Sequence, residues 1–177
     1  MRTELAAVAV TILAFLAALA INHWLFASLE FVPGINWVYL PAGVRLLATL
    51  LYAEAGAIGL LIVSWLVSFY IFFPNDHTRA FMGGIIAAVA PYLVYLGARH
   101  CYGVGRSLAQ LSAEQLFALS LAYSVASPLL HHLWFASQGE DSVLPGFSVM
   151  FVGDLTGTLL VLFMVKGVQR LLRGRRA

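Results

Sequence analysis

Charge is what this chain has least of. Aspartate, glutamate, lysine and arginine together make up 10% of its 177 residues, while 62% are hydrophobic. A soluble domain carries about 25% charged residues and about 45–50% apolar ones. No soluble core of this length hides so much apolar surface. A soluble fold is excluded, and residues 1–177 read as a single integral membrane domain. Cysteine is nearly absent as well: the lone Cys101 permits no internal disulfide and no cysteine metal cluster. A net charge of +2 gives no reason to expect a nucleic-acid partner. The signatures of soluble enzymes are missing too. "GVGRS" at Gly103–Ser107 lacks the length and the preceding strand of a phosphate-binding loop, and neither a nucleophile elbow nor an H-E-x-x-H occurs. No catalytic residue is assigned, and no enzymatic activity is expected.

What the chain does have is long apolar runs. They predict an all-α, polytopic membrane protein with six transmembrane helices: roughly Leu5–Leu29, Trp37–Tyr52, Ala55–Phe73, Ala80–Tyr102, Ala113–Ser137 and Gly146–Leu172. A spanning helix needs about 20 residues, so the second segment is marginal. It reads as a tilted short helix or a partly re-entrant one, with Pro41 suited to its first turn. The first, "MRTELAAVAVTILAFLAALA", has leader-like features up to Ala18 and Ala20 but reads as a retained first membrane helix. Glu54 falls at the tight turn between the second and third segments. Ser112, followed by Glu114 and Gln115, reads as a helix N-cap. Pro91 and Pro128 lie inside the fourth and fifth segments, where each removes a backbone donor and invites a kink.

Orientation follows the distribution of lysine and arginine. The termini and the fourth-to-fifth connection hold Arg2, Arg99, Arg106, Lys166, Arg170, Arg173, Arg175 and Arg176. The opposite connections hold Arg79 among Glu30, Asp76, Glu140 and Asp141. Both termini are therefore expected in the cytoplasm, with the tail "RLLRGRRA" able to touch anionic lipid of the bilayer.

With that alternation, polar side chains from four segments fall at one depth, in the outer third of the membrane. Asp154 lies eight residues past Gly146 and Arg45 eight past Trp37, each about 12 Å from the outer end of its helix. Asn22 and His23 lie near the outer end of the first segment, and His131 and His132 near that of the fifth. Ionisable groups inside spans are rare, face the protein interior or water, and usually pair. Arg45 is expected to pair with Asp154. The cluster is either an internal clamp between the second and sixth segments or the lining of an outward-facing polar pocket, with Thr156 and Thr158 beside it. His23, one of His131 or His132, and Asp154 have the chemistry of a metal site, and two histidines that of a haem site. No spacing motif supports either, and adjacent histidines point about 100° apart on a helix. No metal and no cofactor is assigned.

Small residues mark close packing. Gly153 and Gly157 form a G-x-x-x-G around Asp154, which lets another helix approach. Ala14 and Ala18, with Ala7 on roughly the same face, form a small-residue surface on the first segment, suited to packing inside the protein or against a partner.

"INWVYLPAGVRLLATLLYAEAGAIGLLIVSWLVS", residues 35–68, and "FVGDLTGTLLVL", residues 151–162, resemble the MASE1 type of bacterial membrane sensor domain. The shared features are an aromatic residue, a Pro-x-Gly turn and two apolar helices in one stretch, and an acidic residue among glycines in the other. Six short spans in under 200 residues are also similar in plan to the S components of energy-coupling-factor vitamin transporters. The resemblance maps Pro41, Gly43 and Arg45 in the first motif and Gly153, Asp154 and Gly157 in the second. It implies a multi-pass protein of the bacterial inner (cytoplasmic) membrane. MASE1 domains usually precede an output domain, whereas here Ala177 follows the last segment directly. A sensor of this kind would signal through a separate membrane protein, and an S component would dock on one through the alanine face of its first helix. The expected function is binding of a small molecule in the outward-facing pocket, for sensing or uptake. The alternative is an accessory subunit of a larger membrane complex, with no ligand of its own.

Overall fold

The computed structural model describes residues 2–103, 111–139 and 143–174. Arg106, Glu140, Asp141, Arg175 and Arg176, on which the orientation partly rests, lie outside them. Helix α1 (Arg2–Phe26) leads through a short 3-10 turn into a two-stranded antiparallel hairpin, β1 (Glu30–Val32) and β2 (Ile35–Asn36). Helices α2 (Leu40–Val67), α3 (His77–Tyr102), α4 (Ala113–Ser137) and α5 (Val143–Gly174) follow. Among the described residues, five helices are long and apolar enough to cross a membrane.

Six such segments are predicted, and the difference lies in α2. The second and third segments form one helical element, interrupted at Ala53, whose φ of 50° and ψ of −120° leave the helical region. A methyl group added at Gly56 would overlap the Ala48 carbonyl oxygen. Residues eight apart in a straight helix are about 12 Å apart, so the chain doubles back at Ala53. The turn falls inside the interval 52–55 where the sequence divides the two segments. A positive φ at a residue other than glycine is strained. Here the backbone contact between the two limbs of α2 holds it.

The first limb, residues 40–52, is the axis of the bundle. From Leu40 to Leu50 every residue except Val44 is buried. Its Leu46 and Leu50 pack in one core with Ala90, Tyr95, Tyr123 and Val161 from α3, α4 and α5. A helix that is apolar all round belongs in an interior, which is why this segment can be short. The second limb presents Ile58, Ile62 and Leu66 outward. On its other side Leu60, Val63 and Val67 form a second core with Phe15 and Ala88.

Cap residues set the helix ends. Ser112 Oγ accepts from Gln115 N–H at 3.1 Å, and Gln115 Oε1 accepts from Ser112 N–H at 2.9 Å. This capping box satisfies two donors at the start of α4. Gly103, with φ of 62°, ends α3 in the left-handed region, and Asp76 caps its start.

The start of α2 is held from outside. Asn22 Oδ1 accepts from Leu40 N–H at 2.8 Å, so α1 caps α2. Asn22→Ala is expected to lower thermal stability in detergent by about 1 kcal/mol, as for loss of a helix cap. Asn22→Asp, which keeps the acceptor, should lose less. An alanine variant as stable as the wild type would show that the cap contributes nothing.

The Gly153–Gly157 face does pack closely, but its neighbour is extended chain. A methyl group at Gly153 would overlap the Asn36 carbonyl oxygen, and one at Gly157 that of Tyr39. Tyr39 N–H donates to the Gly153 carbonyl at 3.1 Å, and Thr156 Oγ1 donates to the Trp37 carbonyl at 3.2 Å. A glycine groove exposes helix carbonyls, and an unpaired strand end can use them as a helix cannot. On α1 the buried stripe is Ala7, Thr11, Phe15 and Asn22. Ala14 falls off that stripe and is exposed, and Ala18 is half-buried against the main core.

Candidate functional site

Between the hairpin, the middle of α1 and the C-terminal end of α4, the bundle forms a partly closed cavity of about 50 Å³. Its walls come from every part of the fold. α1 supplies Phe15, and the hairpin and the chain after it supply Pro33, Gly34, Ile35 and Tyr39. Arg45 comes from the first limb of α2, with Ser64, Val67, Ser68 and Phe72 from the second limb and its continuation. Arg79 and Gly83 come from α3, His131 and Phe135 from α4, and Met150 from α5. Two guanidinium groups line the cavity, and no carboxylate does among the described residues.

Aromatic rings hold both arginines. The Arg45 guanidinium carbon lies 5.3 Å from the centre of the Phe15 ring and 5.4 Å from that of Tyr39. Arg79 lies 4.7 Å from Phe73 and 4.5 Å from Phe135. Cation–π contacts stabilise a guanidinium by about 0.5–2 kcal/mol, more when desolvated. They stabilise its charge without supplying a hydrogen-bond acceptor. Arg45 is 6% exposed, and its Nε has no hydrogen-bond partner. Ser64 Oγ, on the facing limb, is likewise buried and unpartnered. His131 donates through Nδ1 to the Ser127 carbonyl at 2.8 Å and also lies against the Gly83 backbone at the cavity wall.

Arg45 and Asp154 do not form the direct ion pair expected from their depth. The rings of Phe15 and Tyr39 draw the guanidinium toward the cavity. Asp154, 1% exposed, stays behind it and does not reach the cavity wall. Between them lie Tyr123, beside Arg45, and Ser127, beside Tyr123 and Asp154. Tyr123 Oη, Ser127 Oγ, Asp154 Oδ2 and Thr158 Oγ1 are all buried, and none makes a hydrogen bond of good geometry even though Tyr123, Ser127 and Asp154 lie beside one another. Behind the cavity, then, is a layer of polar groups at the α2–α4–α5 contact. Orphaned buried polar groups are few in folded proteins, so a group of them calls for water or a ligand.

The other residues of the predicted cluster separate. Asn22 is occupied in capping α2. His23 is exposed and lines a different depression with Glu30 and Asn36. His132 donates through Nδ1 to the Pro128 carbonyl at 2.9 Å and turns its other edge to Gly146 and Phe147. Thr156 is held by the Trp37, Val152 and Gly153 carbonyls. Among the described residues no three histidine, cysteine, aspartate or glutamate side chains converge.

Several site residues are missed from sequence. Arg79, two residues into α3, reads as a loop cation. Ser64 and Ser68 are four apart on an apolar helix and attract no notice. A stronger signal lies in α4, where Ser120, Tyr123, Ser124, Ser127 and His131 recur at helical spacing. This polar stripe faces inward: Ser120, Tyr123, Ser124 and Ser127 are all fully buried. No protein-family model, curated protein or solved structure matches the chain.

Proposed function

We propose that the chain is a non-enzymatic, multi-pass membrane protein that binds a small molecule in the Arg45–Arg79–His131 cavity, for sensing or uptake, together with a separate partner protein. The observation that carries this reading is the buried Arg45 Nε and Ser64 Oγ, which line a partly closed cavity without hydrogen-bond partners. In this reading the two limbs of α2 cross the membrane separately, giving six crossings. Both termini are cytoplasmic, and the cavity opens to the outer side of a bacterial inner membrane. The resemblance to MASE1 domains and S components agrees with such a role.

The accessory-subunit reading has one observation in its favour. Asn22, Gly153, Gly157 and Thr156 all hold the segment from Asn36 to Leu40 in place, a purely architectural task. Native mass spectrometry after gentle purification separates the two. A retained small molecule, lost from Arg45→Gln protein that still elutes as a single folded species, is the expected result. Recovery with large partner subunits and no small molecule would favour the accessory role.

A further inference from the structure

Resting on that reading, we infer that the cavity is a site for a compact oxyanion, a carboxylate or phosphate group, held by Arg45 and Arg79. Sign, size and geometry each point this way.

The wall carries two guanidinium groups and no carboxylate among the described residues. A partly closed space of that sign favours anions over cations. The closed part of the cavity, at about 50 Å³, holds a few waters or a head of about four heavy atoms. A trigonal or tetrahedral oxyanion is that size. Guanidinium presents its N–H donors in a planar fork that matches carboxylate and phosphate oxygens. The Phe15 and Tyr39 rings lie against Arg45, and its buried Nε is without a hydrogen-bond partner. Ser64 Oγ supplies a neutral donor from the facing limb of α2. Because Arg45 and Ser64 belong to the two limbs joined at Ala53, the anion would bridge the two limbs of α2. Asp154, set behind Arg45, keeps that guanidinium from being the sole charge of its layer when the cavity is empty.

The test is calorimetric titration of the purified chain, in detergent at constant chloride, with sodium acetate, sodium benzoate and sodium phosphate. Choline chloride serves as the cation control. Saturable binding of at least one oxyanion and none of choline is expected. Arg45→Gln should weaken binding at least about tenfold, the loss of one charge-assisted hydrogen bond. Ser64→Ala, a smaller change, should weaken it severalfold, with folding of each variant checked by size-exclusion chromatography. A free solute and a lipid headgroup offer the same chemistry. Repeating the titration in nanodiscs with and without phosphatidylglycerol assigns the source, since competition by that lipid names the headgroup and its lack names a free solute. No saturable signal with any of the three anions, or binding unaltered in both variants, overturns the oxyanion. If native mass spectrometry then finds a bound neutral or cationic molecule, binding stands and only its chemistry falls. If it finds none, both fall.

Discussion

Gly157→Ala is expected to destabilise the protein by about 2–3 kcal/mol or more, enough to deplete the folded species in detergent. The added methyl would overlap the Tyr39 carbonyl oxygen, with Tyr39's own carbonyl carbon and the Leu40 nitrogen directly behind it. Backbone has no rotamer to change, so the whole segment from Asn36 to Leu40 must move off α5. That displacement breaks the Tyr39–Gly153 and Asn22–Leu40 hydrogen bonds together and shifts Ile35 and Tyr39 out of the cavity wall. Gly153→Ala should behave alike, against the Asn36 carbonyl. The control is Gly97→Ala. Gly97 lies in α3 with nothing near its α-carbon, so alanine gains helix propensity there and should be neutral or stabilising by up to about 1 kcal/mol. Thermal unfolding followed by size-exclusion chromatography ranks the three. Equal melting temperatures for Gly157→Ala and Gly97→Ala would mean that the α5 groove is not a close contact.

The second large effect concerns charge. Arg45→Leu leaves Asp154 buried with no compensating cation in its layer, and Asp154→Leu does the reverse to Arg45. Removing one member of a buried charged pair costs about 3–5 kcal/mol when the two touch. Here Tyr123 and Ser127 intervene and each single variant should cost less, about 2–3 kcal/mol, because those hydroxyls stand close enough to turn toward whichever charge remains. The Arg45→Leu, Asp154→Leu double variant should be more stable than the sum of the two single losses by at least about 1 kcal/mol, a coupling that only interacting sites show. Strict additivity in a double-mutant cycle would show that the charges do not sense each other. Tyr123→Phe offers a further check. If the hydroxyl mediates the interaction, it should reduce the coupling while leaving the packing of the ring intact.

Both expectations turn on how much of this site can be read from a linear chain. Depth can: a helix advances a fixed distance per residue, so counting from the apolar boundaries brings Arg45, Asp154, His131 and His132 to one level. Azimuth cannot. Which way a side chain points around its helix depends on neighbours, and neighbours are a property of the packed bundle. Arg45 and Asp154 share a level, yet Phe15 and Tyr39 turn one toward the cavity while the other remains behind Tyr123 and Ser127. Asn22 lies near that level too, but an unpaired N–H at the start of α2 takes its side chain. His131 and His132 are adjacent, and helical geometry alone sends them to different places. Arg79 lies outside the apolar boundary, so depth counting passes over it. The fold of Phe73 and Phe135 around it brings it to the wall.

Composition and periodicity alone determined that this is an all-helical chain with helices long and apolar enough for a bilayer, that it divides near Ala53, that α4 begins at Ser112, and that Gly153 and Gly157 lie against something close. These are local or additive properties: transfer free energy, capping chemistry and the absence of a β-carbon act at the residue that carries them. Tertiary structure decided what that close neighbour is, why the first limb of α2 can be short, and that two arginines from distant parts of the chain share a cavity. Those outcomes depend on which surfaces meet, and only the assembled bundle determines that.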